Sequence, residues 1–316
     1  MKIGLIIFLI ILGSFVVGFL ISLIVIAIIM FKAFFGREED KKLEKTNLQG
    51  PTYDICRDKI IEYREKIKEL NFEEIKIKSF DDLSLYGRLY KCDKSKDLII
   101  LLHGAHTIPE NNFGYFIHSM HDKYNLLLVR MRSHGESEGK HLTYGIKEKE
   151  DVISWLDYFG NSYENYYLYG ISMGAASIGF ACENLSEREN VKGLIFDCGF
   201  TNIKAVMDFL VVSLHLPEPL FVPGVKLIHK MNFGFNMDSD SVVNHIKNNK
   251  IPCLFLEGGK DDVVPPDLLM KSYDACTSYK ELYLVPDAGH ATALIVGGEN
   301  ILEKVISFIE RSKKNG

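Results

Sequence analysis

The stretch Tyr166-Tyr167-Leu168-Tyr169-Gly170-Ile171-Ser172-Met173-Gly174-Ala175-Ala176-Ser177 decides the fold. An apolar, aromatic run of strand-forming residues ends in G-x-S-x-G and passes at once into helix formers. A serine on so sharp a turn is lifted above the end of its strand. Side chains at the two flanking positions would clash with neighbouring backbone, so both are glycine. The amide of the following residue, Met173, then points to where negative charge develops on an attacked carbonyl oxygen.

Outward from this turn, short apolar segments alternate with helical patterns. Strands are expected at 98–102, 125–129, 166–169, 193–196, 253–256 and 281–285, and helices near 111–123, 146–160, 173–185, 266–277 and 299–312. Residues 53–70 carry helical spacing. Segments 72–78 and 83–90 flank Asp81-Asp82 and read as an antiparallel hairpin. Continuously apolar strands between helices signal a parallel sheet covered on both faces. Chemistry in such sheets sits in the loops at the carboxyl ends of the strands.

Two downstream loops supply partners for the serine. The strand at 253–256 leads into Glu257-Gly258-Gly259-Lys260-Asp261-Asp262-Val263-Val264-Pro265, and the last strand into Pro286-Asp287-Ala288-Gly289-His290. The order Ser…Asp…His suits a nucleophile, a base and an orienting acid. Asp261 is preferred as the acid. Asp262 is the alternative, Asp197 a third candidate, and Asp287 a turn residue. The strand at 98–102 runs into His103-Gly104-Ala105-His106, where the Ala105 amide is the expected second oxyanion donor. His103 is read as a brace, and His106 as either pocket lining or surface. His134 and Ser137, three residues apart in the glycine-rich loop at 130–139, are read as structural, with Arg132 pairing a nearby carboxylate.

These residues resemble the α/β-hydrolase superfamily. More narrowly they resemble bacterial membrane-anchored esterase/lipase-type and bile-acid-acyltransferase/dienelactone-hydrolase-like members. The matching segments are LLHGAH (101–106), RMRSHGESEGK (130–140), YGISMGAAS (169–177), FDCGFT (196–201), EGGKDDVVPP (257–266) and LVPDAGHA (284–291). The resemblance covers about residues 70–312. It implies an α/β-hydrolase fold: a mostly parallel sheet with an N-terminal antiparallel hairpin, helices on both faces and a helical cap. It also implies hydrolysis of esters or related acyl bonds by Ser172, Asp261 and His290, without metal or organic cofactor. Arg130 departs from the pattern, since relatives often carry Asp in D-x-R-x-H-G-x-S.

The cap is expected at about 202–250. It is rich in apolar residues (Phe209, Leu210, Val211, Val212, Leu214, Leu216, Leu220, Phe221, Val222, Leu227, Ile228, Phe233 and Phe235) and is broken into short helices at Pro217, Pro219 and Pro223. Either it is a mobile wall for an acyl chain or it is ordinary core.

Residues 3 to 31 contain no charge. As a helix they would run about 43 Å, more than the roughly 30 Å a bilayer core requires. An uncleaved single-pass anchor is expected over 1–35, then a polar linker over 36–52, then one hydrolase domain over 53–316. Lys2 on one side against Lys32, Arg37, Lys41, Lys42 and Lys45 on the other places that domain in the cytoplasm.

Composition fits this division. The chain has 316 residues, 47% hydrophobic and 25% charged, with net charge -5. Neither disorder nor a nucleic-acid partner suits those values. The six cysteines lack metal spacing and read as reduced core thiols. The expected function is a carboxylesterase or lipase acting on a small-molecule or lipid-like acyl substrate. The alternatives are a thioesterase, deacylase or serine peptidase on the same fold, and then a non-catalytic binding protein.

Overall fold

A computed structural model describes residues 2–46, 48–213 and 217–315. Of the positions singled out above, Leu214 and Leu216 lie outside the described residues. So do the side chains of Lys2, Lys41, Lys45, Phe209, Leu210 and Val212.

Eight strands form one sheet in the order β1-β2-β4-β3-β5-β6-β7-β8. They are β1 Glu73–Lys78, β2 Ser84–Tyr90, β3 Asp97–Leu102, β4 Asn125–Arg130, β5 Asn165–Ile171, β6 Val191–Asp197, β7 Cys253–Gly258 and β8 Lys280–Val285. The hairpin β1-β2 is antiparallel, β2 pairs antiparallel with β4, and all other pairs are parallel. Burial follows position. The central strands are buried along their whole length, whereas β1 alternates exposed and buried residues as a half-wet edge does.

The helices are α1 Lys2–Phe35, α2 Asp40–Thr46, α3 Pro51–Asp54, α4 Arg57–Lys66, α5 Pro109–Met120, α6 Glu148–Phe159 and α7 Met173–Leu185. The last five are α8 Ile203–Ser213, α9 Glu218–Phe233, α10 Val242–Ile246, α11 Pro266–Ala275 and α12 Ala293–Asn315, which kinks at Gly298. Side-chain alternation splits the core between two faces. Leu98, Ile100 and Leu102 of β3 join Trp155 of α6 and Ile178 of α7 on one face. Ile99 and Leu101 join Phe113 and Phe116 of α5 and Phe308 of α12 on the other.

Helices α8, α9 and α10 occupy the expected cap region. Pro217 and Pro219 mark the start of α9, but Pro223 lies inside it and does not end it. That proline falls early in the helix on its exposed side, where the ring and one lost backbone hydrogen bond are tolerated. All six cysteines are buried and free.

The N-terminal helix does not stand apart from the domain. Ala27, Phe31 and Phe35 are buried, with Leu23, Ile26, Met30 and Phe34 half-buried on the same side. Their spacing traces one stripe along the last three turns of α1. The stripe packs on α9, where a Cβ added to Gly224 would stand 2.8 Å from Ala27 Cβ. Phe35 meets His229 and Phe233 at ring distances of 5.0 and 6.0 Å.

The segment read as a linker is likewise held. Gly36 bridges His141, Arg37 N–H donates to Lys140 O (3.1 Å), and Leu142 N–H donates to Phe35 O (2.8 Å). The Arg37 guanidinium donates to the carbonyls of Ser137 (2.9 Å) and Gly135. Polar composition marked 36–52 as a connector, and its first two residues are bonded to the backbone of the 135–142 loop.

Candidate active site

The turn between β5 and α7 has the geometry its sequence requires. Ser172 sits at φ 53°, ψ −111°, in the sparsely allowed positive-φ region. Two bonds hold it there: Ser172 N–H donates to Asp197 O (2.8 Å), and Ala176 N–H donates to Ser172 O (3.0 Å). A Cβ on Gly174 would collide with the carbonyl of Leu102, and one on Gly170 with the backbone of Gly174 and Ala175. Those contacts are the close approaches that glycine alone permits.

The loops after β7 and β8 bring their residues to this serine. His290 Nε2 lies 3.0 Å from Ser172 Oγ, and His290 Nδ1 lies 2.7 Å from Asp261 Oδ2. The second oxygen of Asp261 accepts from the amides of Val263 (2.9 Å) and Val264 (2.8 Å). Both carboxylate oxygens are therefore committed, and the acid is fixed in orientation. Nδ1–H donating to Asp261 leaves the Nε2 lone pair facing the serine hydroxyl.

Burial alone would lower the pKa of His290. The charge and hydrogen bond of Asp261, with the charges of Asp197 and Asp262 behind them, outweigh it, and the net direction is upward.

The rival acids are engaged elsewhere. Asp262 is exposed and accepts from Thr52 Oγ1 (2.8 Å). Asp287 pairs with Lys260 at 2.7 Å in solvent. Asp197 is buried and accepts from Tyr169 Oη (3.1 Å), and burial with the nearby Asp261 pushes its pKa up to about 7. Glu257, also buried, is pushed up to about 9 by burial and by the charges of Asp261 and Asp197. Asp197, Asp261 and Glu257 thus act on one another through their charges, and burial favours the protonated form of Glu257.

Ala105 follows Gly104 in the loop after β3 and lines the same cavity as Ser172, and Met173 follows the serine directly. A Cβ on Gly104 would stand 3.4 Å from Ser172 Cβ, so the loop after β3 passes against the serine. Met173 is the first residue of α7, whose amide has no acceptor within its own helix. Asn112 Oδ1 accepts from Gly104 N–H (2.9 Å), and buried His103 bridges Gly104 O (2.7 Å) and Met131 N–H (3.1 Å).

Other loop residues are structural. Arg132 forks onto Asp151 (2.6 Å) and Asp81 (3.1 Å), and Ser137 Oγ donates to Arg130 O at 2.6 Å. Arg130 pairs with Asp40, Glu110 and Glu136 at 3.1, 2.9 and 2.5 Å. Arg130 thus ties the sheet to the segment after α1.

Cys198, Asp261 and His290 place metal-ligand atoms within 4.8 Å of one another. Asp261 and His290 have already spent their inner atoms on each other, and burial holds the Cys198 thiol protonated. This set suits proton transfer better than metal binding.

No protein-family model matches the chain. Among curated proteins it is 25% identical over 250 residues to the uncharacterized protein YqkD of Bacillus subtilis, covering 76% of this chain and 81% of that one. It is 27% identical to an uncharacterized membrane protein of Saccharomyces cerevisiae (72% and 76% covered) and 23% identical to protein bem46 of Schizosaccharomyces pombe (78% and 80%). Among solved structures, the esterase Pf2001 of Pyrococcus furiosus superposes with TM-score 0.62 at 22% identity, covering 78% of this chain and 94% of that one. The esterase EaEST of Exiguobacterium antarcticum gives 0.57 at 18%, covering 75% and 100%. The chain has the α/β-hydrolase fold.

In this α/β-hydrolase sheet the serine opens on a cavity of about 450 Å³. Its lining contains residues that the sequence did not single out: Ala33 and Phe34 from α1, Leu43 from α2, Tyr53 from α3, and Tyr144. The carbonyl of Phe34 accepts from Tyr144 Oη (2.7 Å) and faces His106 Nε2 at 2.8 Å. His106 therefore lines the cavity and fastens α1 to it. The only advance sign was the Phe31, Phe34, Phe35 cluster, whose spacing puts three rings on one face of an otherwise featureless apolar helix.

Proposed function

We propose that this protein is a serine hydrolase that cleaves carboxylic esters with an apolar acyl part. The unbroken chain from Ser172 Oγ through His290 to Asp261, at 3.0 and 2.7 Å, carries the reading. His290 Nε2 takes the hydroxyl proton as Ser172 Oγ attacks the acyl carbonyl carbon. The oxyanion is met by the amides of Met173 and Ala105, one such donor being worth about 3–4 kcal/mol. The same proton passes to the leaving alkoxide, giving an alcohol and an acyl-serine. Water, deprotonated by His290, then displaces the serine and releases the acid.

The acyl part would fill the cavity against Phe34, Tyr144, Phe200 and Val206. Helix α1 serves as a single-pass anchor, and the domain from residue 53 lies on the cytoplasmic side. The exposed apolar surface of α1, Lys32 in its last turn, and Arg37 and Lys42 after it support that placement.

Fluorophosphonate labelling and p-nitrophenyl butyrate hydrolysis by the full chain in detergent test the reading. Both should vanish in Ser172→Ala. Undiminished turnover by that variant would sink the proposal.

A further inference from the structure

Helix α9 has two unlike faces. Glu218, Val222, Val225 and His229 share its inner side, where the last three are buried and Glu218 turns toward Lys204 of α8 at 4.0 Å. Leu220, Pro223, Leu227 and Met231 recur at steps of three, four and four on the outer side. All four are exposed, Leu227 at 59% and Met231 at 76%. Such a continuous apolar stripe on a surface helix calls for a partner.

Its neighbour identifies that partner. Gly224 packs on Ala27, and Phe233 meets Phe31 and Phe35 at 6.0 Å, so α9 and α1 run side by side in the same direction. Where α9 has joined, the far side of α1 is still bare and apolar: Ile24, Val25, Ile28 and Ile29 are all exposed. The two outer surfaces are contiguous, and whatever covers α1 at this level also reaches α9. Cations then appear together. Five residues beyond Ala27 is Lys32, and six beyond Gly224 is Lys230, the arrangement of a hydrocarbon-to-headgroup boundary, while Lys226, two beyond Gly224, is paired with Asp238 at 3.0 Å.

We propose that α9 is a second membrane-embedded element, with Leu220, Pro223, Leu227 and Met231 seated in the leaflet beside α1. The occupant is the acyl region of a phospholipid bilayer. The inference rests on α1 spanning the membrane, and it is independent of the hydrolase chemistry. Ala33 and Phe34 lie six and seven residues past the Ala27–Gly224 contact, or about 9–11 Å along the helix. The cavity mouth is thereby held just beneath the membrane surface.

The full chain carries a single tryptophan, Trp155, which is buried. Wild type and the variants Leu227→Trp, Met231→Trp and Tyr279→Trp are reconstituted into phosphatidylcholine vesicles with or without brominated acyl chains. Tyr279 is exposed just before β8, at the end of the sheet opposite Ser172. Added emission from positions 227 and 231 should be blue-shifted and lost in brominated vesicles, while that from position 279 stays red and unquenched. Emission at 227 and 231 matching that at 279 would overturn the proposal. Failure of the wild-type chain to float with vesicles would remove its basis. Fluorophosphonate labelling of the same samples reports separately on the hydrolase reading.

Discussion

At the scale of single residues, the site turns on how one histidine is held. Asp261→Asn removes the charge that raises the His290 pKa and leaves burial, which lowers it. The variant should lose about 10³–10⁴-fold in kcat, and the acid limb of its kcat/KM profile should move to lower pH. Asp262→Asn, changing an exposed residue bonded to Thr52, should leave kcat within a few-fold. Equal losses in the two variants would reassign the acid. Glu257 gives a second test, by pH-dependent stability. Its folded pKa of about 9 lies above the ordinary glutamate value, so the native state binds the proton that the unfolded chain releases. Stability from this group is complete at low pH and is lost as pH rises toward 9. Glu257→Gln should flatten the fall in Tm between pH 6 and 9, measured by calorimetry. That Ser172, His290 and Asp261 would lie together was readable from sequence, because their loops follow strands in a fixed order. Which of the two neighbouring aspartates faces the ring hung on one position: Asp261 does, with its other oxygen held by two backbone amides.

At the scale of elements, sequence and structure part company at α1. A uniformly apolar helix writes no distinction between a face that meets lipid and one that meets protein, so beyond the Phe31, Phe34 and Phe35 cluster the stripe from Leu23 to Phe35 was invisible. The sheet, by contrast, was legible strand by strand, because buried strands and turn residues punctuate the chain. Pro223 misled for a local reason: proline ends helices only where its ring or its missing donor cannot be accommodated. Two substitutions examine the joint. Gly224→Leu forces a side chain into Ala27 and should cost about 1–3 kcal/mol, seen as a lower Tm of the solubilised full chain. Ala33→Trp should fill the cavity from the α1 side and shift ester preference toward shorter acyl chains, leaving fluorophosphonate labelling of Ser172 intact. An unchanged chain-length profile would show that α1 does not bound the substrate.

At the scale of the whole molecule, the eight-stranded sheet and its helices sit against the end of the N-terminal helix. The seat is made by Gly36 bridging His141, by Arg37 on the carbonyls of the 135–139 loop, and by the Asp40–Arg130 pair. A tether of loose residues would let the domain swing over tens of ångströms, whereas this joint leaves little freedom about the axis of α1. Arg37→Ala with Asp40→Asn should loosen it without touching the triad. Faster hydrogen exchange over residues 36–46 and 135–142, with unchanged labelling of Ser172, is the expected pattern. The rigid joint also changes how turnover is counted. On the function and anchoring proposed above, an esterase that cannot lift its site away from the bilayer would sample a two-dimensional reservoir. For an amphiphilic ester its saturation should therefore follow the mole fraction of that ester in the membrane. Diluting vesicles in buffer at fixed composition would leave the rate per enzyme unchanged, while diluting the ester with inert lipid would lower it.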